Sequence, residues 1–208
     1  IARYMVASEE TEPGNGWYYT GWVQALADNP QMDGAELGNV ICDTYMEGCE
    51  MYGTEDETTL SVVDLGKIGA VLTAYDNMGK EALSYACEDP SFFSCFGRNA
   101  EYAENYGGNT KDTGYTNMVD LKDLAENNRD ILTDTCEDVI AALEDCVVYK
   151  VNGSYRQQAG GLSCYYSYDG NLSDFNIYSE IGASESFKYL YGYALSGSLS
   201  EAGQQYVE

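Results

Sequence analysis

The sequence predicts an α/β layered domain built on a mainly parallel sheet, and three observations lead there. Runs of strand length alternate with segments of helical period, which is the rhythm of a layered α/β domain. One of those runs, Thr58 to Leu65, is β-branched and apolar on both faces, as suits a strand buried between two layers. At 208 residues with 44% hydrophobic content, the chain is long enough to bury a core of its own.

The elements follow in order. Tyr4 to Ser8 opens as a strand and runs into Glu9-Glu10-Thr11-Glu12-Pro13-Gly14-Asn15-Gly16-Trp17, a loop dense in turn residues. Trp22 to Ala27 is a short helix ended by Asn29-Pro30. A second helix starts at Asp33, an N-cap with Glu36 three residues on; it turns Leu37, Val40, Ile41 and Tyr45 inward and stops between Gly48 and Gly53. After the strand at 58–65, Ile68, Val71, Leu72, Tyr75, Met78, Ala82 and Leu83 recur at helical spacing. From Cys87 to Thr116 the pattern dissolves into a long surface excursion. Helices resume over 118–128 and from Thr133 or Asp134, the latter with Cys136, Val139, Ile140 and Leu143 inward. Val147 to Val151, Leu162 to Tyr168 and a weaker Phe175 to Tyr178 have the two-residue period of short strands, and Ser184 to Leu195 forms a last helix. The remaining residues trail off.

Charge excludes whole classes of partner. Ten Lys and Arg against 35 Asp and Glu leave a formal net charge of −25 at pH 7, and a nucleic-acid or anionic-membrane binder needs the opposite sign. No apolar run approaches the roughly 20 residues that span a bilayer. The chain has no histidine, so it cannot by itself assemble a Ser-His-Asp or Cys-His catalytic set, nor a His-containing zinc site. Its seven cysteines, at 42, 49, 87, 95, 136, 146 and 164, are an odd number for a closed disulfide framework and show no C-x-x-C spacing; most read as small buried hydrophobes, with one or two disulfides as the alternative. Entry at Ile1 straight into a core strand reads as the C-terminal piece of something longer.

The chemistry concentrates in the loop after the first strand, which carries three carboxylates and an indole. In an open α/β sheet ligands bind beyond the strand ends. Carboxylates there suit a cationic group, and the alternative is a solvated acidic loop that caps the next helix.

The run Tyr4-Met5-Val6-Ala7-Ser8-Glu9-Glu10-Thr11-Glu12-Pro13-Gly14-Asn15-Gly16-Trp17-Tyr18-Tyr19 resembles the segment that follows the nucleophilic cysteine in clostripain-like cysteine peptidases. Ser61 to Ile68, Tyr115 to Leu121 and Leu162 to Ser167 extend the resemblance over most of the chain. It implies the C-terminal portion of a caspase-like α/β/α three-layer domain over residues 1–90, with a helix-and-short-strand elaboration packed on it over 91–208. It also implies an endopeptidase cleaving after Arg or Lys by a Cys nucleophile and a His base, through a thioester whose oxyanion is held by backbone donors. Both catalytic residues would lie upstream of Ile1, so this chain contributes no catalytic residue, is inert alone, and needs an upstream segment bearing His and Cys as partner.

Under the resemblance, Ser8, Glu9, Glu10, Glu12 and Trp17 are the substrate-binding residues. One or more of the glutamates pairs with the basic side chain, Trp17 forms an apolar wall and Ser8 meets substrate backbone. The chemistry requires no cofactor. Calcium is possible in this family, but there is no D-x-[DN]-x-[DN]-G loop and no ligand is assigned. A secreted or cell-surface location is implied by family habit. Two other readings compete: a non-catalytic glycan- or protein-binding module using the twenty tyrosines as a face, and a pseudo-peptidase domain.

Overall fold

The computed structural model describes residues 2–107 and 116–207. The expected excursion therefore lies partly outside the described residues, as do Ile1 and, of the quoted motifs, Tyr115.

A three-stranded sheet, ordered β1 (Tyr4–Ala7), β2 (Thr59–Asp64) and β4 (Val147–Asn152), forms the middle layer. Every residue of β2 is buried. Its alternation sends Leu60 and Val62 to one side, against Cys42, Tyr45 and Cys49 of α2 (Gly34–Tyr52), while Val63 joins the larger core on the other. That larger core is built by α3 (Ile68–Glu88) and α6 (Thr133–Cys146), with Met78, Leu83, Val139 and Leu143 closed to solvent. Each such side chain contributes about 1.5–3 kcal/mol of burial free energy. The sandwich is thus helix, sheet, helix. α1 (Tyr19–Asp28) lies over α2, and α8 (Glu185–Ser196) and α9 (Glu201–Val207) lie on α3.

The strands run antiparallel, not parallel: Tyr4 faces Asp64 and Ala7 faces Ser61, while Thr59 faces Asn152. Burial of both faces of β2 comes from its central place between two helical layers, which an antiparallel strand achieves as well as a parallel one. A second antiparallel pair joins β3 (Met118–Asp120) to β5 (Ser163–Tyr165).

Local signals are decided by caps. Asp33 accepts from the amides of Ala35 and Glu36 while Glu36 returns a bond to the Asp33 amide, the expected capping box, and Gly53 ends α2 at φ +67°. The helix expected over 118–128 begins instead as β3, because Asp120 is an N-cap whose Oδ1 takes the Asp123 amide at 2.7 Å; α5 covers only Leu121–Asn127. The expected excursion contains α4 (Phe92–Ala100), whose Phe96 and Ala100 are buried, and then the buried stretch Ala103 to Tyr106. The expected strand at Phe175 to Tyr178 is the middle of α7 (Leu172–Ile181), started by Asn171 accepting from Ser173 and Asp174. The trailing C-terminus is α9, held where the Tyr206 hydroxyl donates to Asp76 at 3.0 Å. All seven cysteines are free, so no disulfide forms.

Candidate functional site

The loop after β1 is fixed from below by one hydroxyl. Thr59 Oγ1 lies 3.0 Å from Ser8 Oγ and accepts from the amides of Glu9 and Glu10 at 3.1 and 3.2 Å. Ser8 Oγ also takes the Glu10 amide, which turns the chain out of the strand. Ser8 therefore holds the loop's own backbone.

Beyond that turn the loop borders a cleft of about 450 Å³, lined by Glu10 to Pro13 on one side and by Gly53, Thr54, Asp56, Glu57 and Tyr155 on the others. The far wall is a 3₁₀ turn, Glu55–Glu57, stitched to the end of β4: the Tyr155 amide donates to the Asp56 carbonyl at 2.8 Å, the Gly153 amide to the Thr58 carbonyl at 2.9 Å, and Ser154 Oγ to the Asp56 carboxylate. Gly153 is required there, since a Cβ would sit 1.9 Å from the Glu55 carbonyl oxygen.

The two glutamates at the cleft carry different burdens. Glu10 is buried, and its carboxylate takes the amides of Thr11 and Gly107 at 2.6 and 2.8 Å and an ion pair with Arg156. Arg156 also holds Glu104 at 3.0 Å and sits 5.8 Å from the centre of the Tyr106 ring. Glu12 is exposed, and Trp17 Nε1 donates to its Oε2 at 2.8 Å. The Trp17 ring packs towards Tyr45 at 6.3 Å between centroids, so the indole braces Glu12 from the core. Glu12, Asp56 and Glu57 are thus the exposed carboxylates of the cleft, with the Tyr155 ring 62% exposed beside them.

Glu9 points away from the cleft. Its Oε2 accepts from the Gly161 amide at 2.9 Å, and burial, then the adjacent Asp120, push its carboxyl well above the usual carboxylate range. Asp123, desolvated beside the same group, is raised to about 6.

Asp56, Glu57, Tyr155 and Arg156 were not singled out by the sequence reading. The available signal was Tyr155-Arg156 among turn residues, in a chain with only ten Lys and Arg.

None of the thiols with a resolved shift has the lowered pKa of a nucleophile. Burial pushes Cys42 and Cys136 up to about 12 and raises Cys87, Cys146 and Cys164 as well. Among the described residues no group of three or more His, Cys, Asp and Glu is placed to hold a metal ion.

The family model described as Peptidase_C11, Clostripain family, matches residues 1–185. The chain belongs to the clostripain family. A solved structure described as a B. fragilis cysteine protease superposes with a TM-score of 0.50 at 16% identity, covering 95% of this chain and 80% of that one. At that identity the likeness speaks to the fold alone. No curated protein matches. The clostripain family is one of cysteine peptidases, and this chain contains no histidine.

Proposed function

We propose that this chain is the substrate-pocket part of a cysteine endopeptidase that cleaves after Arg or Lys. The observation that carries the reading is the cleft at the end of β1, whose lining includes Glu12, Asp56, Glu57 and Tyr155. A guanidinium or ammonium entering it meets carboxylates for charge-assisted hydrogen bonds and an aromatic face for its flat or cationic surface. Glu10 tunes the cleft from behind with its charge answered by Arg156.

The nucleophile and base come from an upstream segment. Among the described residues β1 is hydrogen-bonded to β2 only, so its outer edge is open to a further strand. A strand added there ends beside the cleft and delivers the cysteine to the scissile carbonyl. The thiolate attacks, a histidine from the same segment protonates the leaving amine, and water releases the acyl group. Alone, the chain is inert. The chemistry takes no cofactor. The reading goes with a secreted or cell-surface enzyme, and among the described residues no helix is long and apolar enough to cross a membrane.

The tyrosines of the binding-module alternative divide: Tyr19, Tyr52, Tyr102 and Tyr155 are exposed, whereas those of the larger core are not. Tyr75, Tyr166, Tyr178 and Tyr191 are buried, with Tyr75 stacked on Phe187 at 4.3 Å and Tyr165 on Tyr178 at 4.8 Å.

The test is reconstitution. The chain is assayed alone and co-expressed with an upstream segment bearing His and Cys, on matched fluorogenic peptides ending in Arg, Lys and Ala. No turnover alone, and turnover of Arg or Lys but not Ala after reassembly, is expected. Equal turnover of Ala, or activity of the chain alone, overturns the reading.

A further inference from the structure

Behind the cleft two carboxyl groups share one turn. Gly160 and Gly161 present successive amides, the first to Asp120 Oδ2 and the second to Glu9 Oε2 at 2.9 Å. The turn has no room for side chains: a Cβ on Gly160 would lie 2.8 Å from Asp120 Oδ1, and one on Gly161, at φ +104°, 2.6 Å from Val147 Cγ1. Consecutive amides of this kind form a nest for negative charge. Asp120 is wholly buried and fully engaged, taking the Asp123 amide on Oδ1 and the Tyr106 hydroxyl at 3.1 Å on Oδ2. Glu9 Oε1, by contrast, is closed to solvent with no hydrogen-bond partner among the described residues.

Two carboxylates this close in a dry site do not both ionise. Asp120 already has three donors aimed at it. A proton on Glu9 supplies the missing donor, directed at Asp120. We propose that Glu9 and Asp120 hold a single proton between their carboxyl groups, and that this pair is the positioning device that ties the Ser8 to Trp17 loop to the Gly160-Gly161 turn and the start of α5. Its bearing on substrate binding rests on the peptidase reading; the pair itself does not.

The surroundings favour retention of the proton. The groups facing Glu9 are Asp120 from β3, Tyr106 from the 104–107 segment, Cys164 from β5 and, with opposite sign, Lys150 from β4. Arg156 is already committed to Glu10 and Glu104. The sign follows. A carboxyl whose folded pKa is raised binds more protons folded than unfolded, so wild-type stability declines as pH rises from about 4.5 towards the folded value.

Glu9→Gln copies the protonated form, with an amide N–H for Asp120 and a carbonyl for the Gly161 amide; Glu9→Leu copies neither. Infrared difference spectra of the chain, wild type minus Glu9→Gln at pH 8 where Asp123 is ionised, are expected to show a carboxylic-acid C=O band. Thermal midpoints from pH 4 to 8 are expected to show Glu9→Gln gaining on wild type by a few degrees as pH rises, with Glu9→Leu roughly 5 °C or more below wild type throughout. Absence of the acid band in the wild-type spectrum at pH 8, or a Glu9→Gln midpoint as low as that of Glu9→Leu, overturns the proposal. Neither readout needs turnover, so failure of the pair and failure of the peptidase reading are told apart.

Discussion

Arg156 forms an ion pair with Glu10 in the interior, the two side chains only 3% and 2% exposed, although 146 residues separate them in sequence. Its other Nη holds Glu104, equally buried. Arg156→Met leaves two buried carboxylates without their cation and is expected to cost about 3–5 kcal/mol in urea unfolding. Arg156→Lys is expected to recover little, since one ammonium lacks the fork that reaches both partners. Adding Glu10→Gln and Glu104→Gln to Arg156→Met should restore most of the loss; no restoration would mean the guanidinium's packing on Tyr106 matters more than its charge.

The two cleft glutamates should separate by assay. In the reassembled enzyme, Glu12→Gln is expected to lower kcat/KM for Arg substrates by about 10- to 100-fold with Ala substrates unchanged, through loss of one charge-assisted pair. Glu10→Gln is expected to register mainly as lost stability, because its charge answers Arg156. A Glu12→Gln enzyme that keeps its Arg preference would assign recognition to Asp56 and Glu57.

Gly153→Ala tests the far wall. The added Cβ would meet the carbonyl oxygens of Glu55 and Asp56 at 1.9 and 2.4 Å, so the 3₁₀ turn and the β4 extension must part. A loss of about 1–3 kcal/mol in thermal or urea unfolding is expected, with weakened Arg selectivity after reassembly. Full stability would mean that the Tyr155 to Asp56 backbone bond is dispensable.

Asp76 gives an acid-range signature. Burial raises its carboxyl, but hydrogen bonds from Ser184, the Ser186 amide and Tyr206 outweigh this and hold it below the usual carboxylate value. Its stabilisation is present above the unfolded pKa near 3.8 and is lost as pH falls through the lower folded value. Asp76→Asn is expected to cost about 1 kcal/mol at pH 7, partial exposure considered, with the gap to wild type closing below pH 4. A gap independent of pH would remove the charge from the account.

The sequence carried its local grammar well and its long-range partnerships poorly. The Asp33-Glu36 box was legible because a cap is a contact over three residues. The strand at 58–65 was legible as buried, yet its direction was not, since apolar character on both faces reports burial alone. Phe175 to Tyr178 has the aromatic and β-branched content of a strand, but Asn171, whose side chain starts the helix, overrides it. Phe92, Phe96 and Ala100 stand four apart, the spacing of the helix found in the expected excursion. In the candidate site, Glu10 and Glu12 line the cleft, while Ser8 Oγ takes a loop amide and Trp17 donates to Glu12. Asp56, Glu57, Tyr155 and Arg156 reach the site through strand register, which no local pattern encodes.

The separation of Glu10 from Arg156 also sets a clock. A ribosome adding about 5–20 residues per second takes roughly 7–30 s to travel from one to the other, a span of 146 residues. Throughout that interval the nascent loop carries an acidic side chain whose interior berth does not yet exist. β1 can align with β2 early, but the cleft gains its final shape only when the last third of the chain arrives. Any binding of basic peptides by this surface is therefore a property acquired late in synthesis.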